Sequence, residues 1–293
     1  MSGIVQWLEN YDLTLLNGLA MACLLFILAS GLTLIFGLLD ILNLAHGAMY
    51  LIGAYIGYRL AAQSWYSFLA ALAVGLVVGA VFGLLLGQMT KPLIKRGHLD
   101  QALMTLGGAL LIAELLSLFF GDDVHSVPPP TALAGTFEIG GDPYPTYRLL
   151  LIAVGLAWAI VMYFVLQRSQ LGALIRAIVA DRDMVGAMGV DTGRVLMGVF
   201  AVGVALATVA GVLGGPMLGA VPGLDEDILL LALIVVVIGG VGSVTGAMVG
   251  ALVVGEVNAI GVELLPQFAS FLLFGAMALV LLFRPAGLIP QRA

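Results

Sequence analysis

The chain has 293 residues, of which 62% are hydrophobic and only 10% carry a charge. Soluble proteins contain about 25% charged residues, so a chain with so few charges could not cover a water-exposed surface, and we expect an integral membrane protein. The single cysteine, Cys23, excludes an intrachain disulfide and a cysteine-based metal site.

Apolar segments long enough to cross a bilayer recur along the whole chain. A spanning helix needs about 20 mostly apolar residues. The candidate spans are 13–38, 41–62, 66–89, 102–120, 148–167, 195–220, an interrupted stretch at 228–255, and 267–283. We therefore predict an all-α, polytopic transmembrane helix bundle of about eight spans, with residues 1–293 forming one domain.

Basic residues distinguish the two sides of the predicted bundle. Lys and Arg are concentrated in the polar segments 90–101 and 168–194, whereas 121–147 contains neither. Because loops rich in Lys and Arg remain in the cytoplasm, we expect 90–101 and 168–194 to be cytoplasmic. The segment 121–147 is then predicted to be an external loop.

The stretch 228–255 is longer than one span and is interrupted by GGVGSVTG at 239–246. We predict a helix–break–helix hairpin that enters from the outside and returns there. The segment 255–267, which has two carboxylates and no basic residue, would then be an external loop. The alternative is one long tilted helix followed by an external C-terminus.

Glycines recur every fourth residue in two parts of the chain. Residues four apart share a helix face, and small residues at that spacing let membrane helices pack closely. We therefore predict helix-packing faces at the two series Gly75, Gly79, Gly83, Gly87 and Gly211, Gly215, Gly219, Gly223.

Polar side chains interrupt the apolar stretch LLDILNLAHGAMYLIGAY at 38–55. Helical spacing would place them on one face, with a small residue beside them. One interpretation is local, with an asparagine capping a helix that begins at Leu44. The other is a broken helix lining a polar translocation pathway. The residues concerned are Asp40, Asn43, His46, Gly47 and Tyr50.

Glu114 lies inside the predicted span 102–120. A carboxylate within a membrane segment is a candidate functional group, so we include Glu114 in the predicted pathway, with a packing role as the alternative. The sequence has no Walker A loop, no H-E-x-x-H motif and no G-x-S-x-G motif. We therefore expect no catalytic residues, no metal site and no ATP hydrolysis in this chain.

The segment 168–194 has apolar residues at helical spacing on both sides of a charged break, DRD, at 181–183. This pattern predicts two short amphipathic helices at the cytoplasmic face. An apolar face there would pack against lipid headgroups or a partner subunit. The alternative is a solvated loop that carries only the positive charge of the cytoplasmic side.

Four stretches resemble the permeases of the branched-chain amino acid ABC transporter family, the high-affinity leucine, isoleucine and valine type. The N-terminal signature is GLTLIFGLLDILNLAHGAMYLIGAY, and LGALIRAIVADRDMVGAMGVD resembles the cytoplasmic coupling segment of the family. The C-terminal stretches are GGVGSVTGAMVGALVVG and LLFRPAGLIP. The resemblance extends in order over nearly the whole chain.

The resemblance implies the fold of an ABC importer membrane subunit in a bacterial inner membrane. The expected partners are a second homologous permease, two cytoplasmic ATP-binding subunits that bind ATP and Mg, a periplasmic solute-binding protein, and membrane lipid, but no nucleic acid. The coupling segment would seat in a groove of the ATPase through Arg176, Asp181, Arg182 and Gly189.

The resemblance also bears on the solute. Many relatives, including urea permeases, place an acidic residue directly after the His-Gly pair, where this chain has Ala48. We therefore expect branched-chain amino acids before urea, with amides and other small carboxylates remaining open. A secondary transporter driven by an ion gradient is the alternative from another class.

Overall fold

The computed structural model of the protein describes residues 11–290 apart from 62, 94, 95 and 140. Within these residues the protein is a helix bundle with one small hairpin of strands. The helices are α1 Tyr11–Leu39, α2 His46–Leu60, α3 Trp65–Thr90, α4 His98–Phe120, α5 Thr146–Tyr163, α6 Gln170–Ala180, α7 Arg182–Ala187, α8 Thr192–Leu218, α9 Leu224–Gly239, α10 Val244–Leu264 and α11 Ala269–Phe283.

Short elements connect these helices. Single 3-10 turns occupy Lys91–Leu93, Thr131–Leu133 and Pro266–Phe268, and a π turn at Phe164–Arg168 extends α5. The strands β1, Thr136–Ile139, and β2, Asp142–Pro145, pair antiparallel with Phe137 opposite Tyr144. The hairpin lies in the predicted external loop, which ends at α5 two residues earlier than expected.

Helix α1 lies at the centre of the bundle. Every residue from Ala20 to Ala29 is buried, as expected for a helix that is hydrophobic all round. At Gly31 its backbone lies directly against Gly203 of α8, and near Ala22 it lies against Gly255 of α10. The central layer of the fold is therefore formed by α1, α8 and α10.

Seven helical segments among the described residues are long and apolar enough to cross a membrane: α1, α3, α4, α5, α8, α10 and α11, some with their adjoining turns. The prediction of an all-α polytopic bundle is confirmed. The second predicted span, 41–62, is wrong in its bounds. Helix α2 contains only 15 residues, which is about 22 Å and too short to span the hydrocarbon layer.

The predicted break in the stretch 228–255 is confirmed. Helix α9 ends at Gly239 and α10 begins at Val244, with positive φ angles of 108° at Gly240 and 79° at Gly242. The two arms pack antiparallel, because Gly239 lies against Gly246 and Gly250 against Val235. The arrangement is a helical hairpin, and the alternative of one long tilted helix is wrong.

The external loop predicted at 255–267 is also wrong. Helix α10 continues to Leu264, and the connection to α11 is the short turn Pro266–Phe268. Gly255 packs against Gly18 and Ala22 of α1. This close contact holds the segment in the bundle, although its two carboxylates suggest a loop.

Backbone hydrogen bonds join several chain connections to one another. His125 and Ala220 exchange two backbone hydrogen bonds of 2.9 Å, and Thr131 N–H donates to the Gln63 carbonyl. The N–H groups of Leu288 and Ile289 donate to carbonyls at the C-terminus of α9.

The glycine series in α3 lies against α8. A Cβ atom on Gly79 would collide with the Thr208 hydroxyl, and one on Gly83 would lie 2.7 Å from Ala201 Cα. At Gly75 the nearest atom is Cγ2 of Val212, 3.1 Å away. Because glycine has no side chain, the backbone of α3 can lie close to α8 at these positions.

The second series is only partly helical. A Cβ atom on Gly211 would collide with the Tyr50 carbonyl, and one on Gly215 would lie 3.2 Å from Val127. Gly219 and Gly223 lie beyond the end of α8 and have positive φ angles of 78° and 90°. The prediction that all four glycines share one helix face is wrong, because the last two form the turn into α9.

We expect Gly79→Leu to destabilise the folded protein. The leucine side chain would have to separate α3 from α8, and overpacking of this kind costs about 1–3 kcal/mol or more. The matched control is Gly275→Leu, because nothing lies within 4 Å of a Cβ atom at Gly275 in α11. Thermal unfolding in detergent would compare the two variants, and equal midpoints would contradict the close-packing role of Gly79.

Candidate functional site

The connection between α1 and α2 is irregular backbone inside the bundle. Helix α1 closes with a hydrogen bond from Asp40 N–H to the Phe36 carbonyl, and Asp40 has a positive φ of 53°. Thr105 of α4 supports the following residues, since its hydroxyl oxygen accepts from Leu44 N–H at 3.1 Å. Helix α2 then begins at His46, two residues later than the capping interpretation expects.

Asn43 folds the turn that leads into α2. Its side-chain oxygen accepts from Ala45 N–H at 3.2 Å, and its carbonyl accepts from His46 N–H. The predicted cap is therefore wrong: the N-cap residue of α2 is Ala45, which makes no side-chain capping bond, and Asn43 instead stabilises the turn before the helix. Asn43 is fully buried, and its side-chain NH₂ group makes no hydrogen bond within the described part of the chain.

His46 joins the start of α2 to the middle of α1. Its Nε2 atom donates to the Leu28 carbonyl at 3.0 Å, and its exposure is 0%. Since Leu28 lies well inside α1, the N-terminus of α2 is within the bundle rather than at its surface. Non-helical backbone at such a depth is tolerated only where protein or a polar cavity surrounds it.

Gly47 brings a second helix start to the same place. A Cβ atom on Gly47 would collide with the carbonyl oxygen of Asp225, in the first turn of α9. The exposure of Asp225 is only 7%, and its Oδ1 atom makes no hydrogen bond to any described residue. The first turns of the two short helices α2 and α9 are therefore in direct contact.

Asp225 was not among the predicted site residues. A signal was present, since a glycine followed by three acidic residues is typical of the start of a helix. The burial of the first acid depends on Gly47, which is distant in sequence, and no local pattern predicts it.

Tyr50 is fully buried, and its hydroxyl lies against Gly214 of α8. That hydroxyl makes no hydrogen bond within the described residues. Asn43 forms the turn before α2, while His46 contacts α1, Gly47 contacts α9 and Tyr50 contacts α8. The structure brings these four predicted residues together as a closed, packed junction.

Asp40 is not part of this junction. Because α1 ends at Leu39, Asp40 stands outside both helices and cannot share a helical face with Tyr50. Its side chain is 70% exposed and pairs with His98 Nε2 at 3.3 Å. The prediction that Asp40 extends the polar face is wrong.

Glu114 also lies apart from the junction. It is on the exposed face of α4, among exposed leucines such as Leu110, Leu111 and Leu118. A carboxylate there does not meet Asn43 or His46 within this chain. Its place in a translocation pathway remains a prediction.

The segment 168–194 folds into the two short helices expected, α6 and α7. The break is narrower than predicted, because Asp181 alone separates them and caps α7 by accepting from Met184 N–H at 2.9 Å. Arg176 donates to the Leu166 carbonyl at the end of α5, and Gly189 turns the chain with a φ of 88°. The segment is therefore built as a compact unit.

The unit has one buried and one exposed apolar side. Ile178, Val185 and Leu196 form a small core cluster beneath it, while Leu171 and Met184 are exposed. Arg182 borders a cavity of about 20 Å³ together with Lys91 and Ile41. The segment is thus anchored to the bundle and presents apolar side chains outward.

The loop 121–145, described apart from residue 140, lies at the opposite end of the bundle. Val127 of the SVPPP stretch is buried against Gly215. Tyr144 is also buried, and desolvation raises the pKa of its hydroxyl to about 12. The loop is therefore packed onto the helices rather than free of them.

Long apolar helices that enclose two interrupted helices and buried polar groups define a multi-pass membrane transport protein. The family described as the branched-chain amino acid transport system, permease component, matches residues 14–282. The chain belongs to this family. It is accordingly a permease component of a transport system, not an enzyme.

Similar proteins cover nearly the full chain. The high-affinity branched-chain amino acid permease protein BraD of Pseudomonas aeruginosa is 30% identical over 96% of this chain and 96% of its own length. LivH of Escherichia coli is 26% identical, with 93% of each chain covered. LivM of Escherichia coli is 28% identical over 90% of this chain and 67% of its own length. No solved structure matches the chain.

We expect His46→Leu to reduce solute uptake by about tenfold, because losing a buried hydrogen bond to a backbone carbonyl costs about 1–3 kcal/mol. His46→Gln, which keeps a donor for Leu28, should retain more uptake. His98→Leu is the matched control, since His98 is 65% exposed. Uptake would be measured with membrane levels checked by immunoblot. If the leucine variant instead leaves its complex, the junction serves packing alone.

Proposed function

We propose that this chain is a membrane-spanning permease of an ATP-driven importer that translocates branched-chain amino acids. The observation that carries the proposal is the membership of the permease family over residues 14–282. The buried polar junction at the start of α2 supports a solute path through the bundle, as interrupted helices do in transporters.

The energy source is assigned to partner subunits. In the proposal two cytoplasmic ATPases bind ATP and Mg, and their closure moves the α6–α7 unit. The exposed side chains of Leu171 and Met184 support such docking, because an apolar surface outside the membrane needs a partner to cover it. Arg176, Asp181, Arg182 and Gly189 would shape the unit that enters the ATPase groove.

The remaining partners follow from the relatives. LivH and LivM are both named as permease proteins of a high-affinity branched-chain amino acid transport system. Their shared similarity to this chain supports a second, homologous permease in the same complex. A periplasmic solute-binding protein would meet the loop 121–145, and the complex would lie in a bacterial inner membrane. Urea, amides and other small carboxylates are the alternative solutes.

Affinity capture of the chain from gently solubilised native membranes tests the assembly. We expect a P-loop ATPase and a second permease to accompany it, and leucine uptake by the captured complex to require ATP. Reproducible recovery of the chain alone, with uptake driven by an ion gradient, would replace the proposal with a secondary transporter.

We expect Arg176→Glu to lower uptake by about thirtyfold or more while the protein still inserts in the membrane. Reversing a charge at a subunit interface costs about 2–5 kcal/mol, and the bond to Leu166 would also be lost. Arg194→Glu is the matched control, because Arg194 is 89% exposed at the far end of the segment and pairs only with Asp191 among the described carboxylates. Normal uptake by the Arg176 variant would contradict docking through α6–α7.

A further inference from the structure

Helix α9 begins with three consecutive acidic residues, Asp225, Glu226 and Asp227. Acidic side chains in a first turn stabilise the positive end of the helix dipole, and this effect needs no burial. Glu226 and Asp227 are exposed accordingly. Asp225 differs, since it is buried and one of its carboxylate oxygens has no hydrogen-bond donor among the described residues.

A buried carboxylate oxygen that has no hydrogen-bond donor is costly to the folded state. The role of a first-turn acid does not explain this burial, because the two neighbouring residues provide the same charge from the surface. A group that arrives from outside the chain would satisfy the free Oδ1 atom. The burial of Asp225 therefore points to a cationic or hydrogen-bond-donating ligand.

Asp225 lies where the first turns of α2 and α9 meet. Its carbonyl lies against Gly47, and the side-chain NH₂ group of Asn43, four residues before Gly47, has no hydrogen-bond partner among the described residues. Two interrupted helices begin at this contact. In many transporters the substrate site lies near the middle of the membrane, where discontinuous helices meet.

We propose that the Asp225 carboxylate binds the ammonium group of the amino acid as it passes from the outside into the bundle. This inference rests on the proposed function. An ammonium group donates up to three hydrogen bonds and neutralises the buried charge. A neutral amide or urea would leave that charge uncompensated, so Asp225 also favours amino acids over those solutes.

The test uses the complete complex, with its partner permease, ATPases and solute-binding protein, reconstituted in proteoliposomes. Leucine uptake and ATP hydrolysis are measured together. We expect Asp225→Asn to lower uptake by about tenfold or more, since a hydrogen bond to a charged group is lost. Assembly and the hydrolysis stimulated by loaded binding protein should remain within about twofold, because both precede recognition at this point.

Two comparisons separate recognition from packing. Asparagine matches the shape of aspartate, whereas glutamate keeps the charge but is longer. If the Asp225 carboxylate binds the ammonium group, the Asp225→Glu variant should take up more leucine than the Asp225→Asn variant. If Asp225 only packs, the order should be reversed. The exposed neighbours provide matched controls, since Glu226→Gln and Asp227→Asn remove the same charge from the same turn and should leave uptake within about twofold.

Three results would overturn the inference. Uptake by Asp225→Asn within twofold of the wild type would refute recognition while leaving the proposed function intact. An Asp225→Asn complex that fails to assemble would assign Asp225 to packing. A wild-type complex that hydrolyses ATP without taking up leucine would refute the proposed amino acid transport and this inference with it.

Discussion

Close contact between helix backbones is the constraint on which the rest of the structure depends. Lipid tails are as apolar as leucine side chains, so the hydrophobic effect does not drive helices together within a membrane. Membrane helices associate instead through close packing. In this chain the helices approach most closely where a glycine meets the neighbouring helix. These contacts are Gly31 with Gly203, Gly79 with Thr208, and Gly255 with Gly18. These contacts bring α1, α3, α8 and α10 together without large side chains between them.

The same close packing gives polar groups a protected place. The start of α2 is held by His46 on α1 and by Gly47 on α9, and this leaves no room for solvent around Asn43 or Tyr50. Polar atoms without partners in such surroundings raise the free energy of this closed arrangement. A solute or water molecule that supplied hydrogen-bond partners to these atoms would remove that cost.

The long helices and the hairpin break were predictable because their signals are local. Twenty apolar residues mark a span wherever they occur, and the glycines around Gly240 and Gly242 interrupt a helix by their own conformational freedom. The short helices α6 and α7 were predictable for the same reason, since their apolar spacing and Asp181 lie within one short stretch. The junction of Asn43, His46 and Gly47 was also recognisable, because polar residues are rare in membrane segments.

The errors concern residues whose position depends on distant partners. Residues 41–45 are non-helical because Thr105 supports them, and 255–264 is helical because Gly255 meets α1. Asp225 was missed because its own neighbours indicate a surface turn. In each case the deciding contact joins segments far apart in the chain, so the local pattern carried the wrong prediction.

The tip of the hairpin has a consequence for the order in which the protein matures. The last carbonyls of α9, at Ile238 and Gly239, receive their hydrogen bonds from Leu288 and Ile289, which follow two further helices. During synthesis these carbonyls therefore lack these hydrogen bonds until the helices that precede Leu288 have been made. The segment that donates these hydrogen bonds is synthesised late. The tip of the hairpin is therefore completed only after the preceding helices have been made.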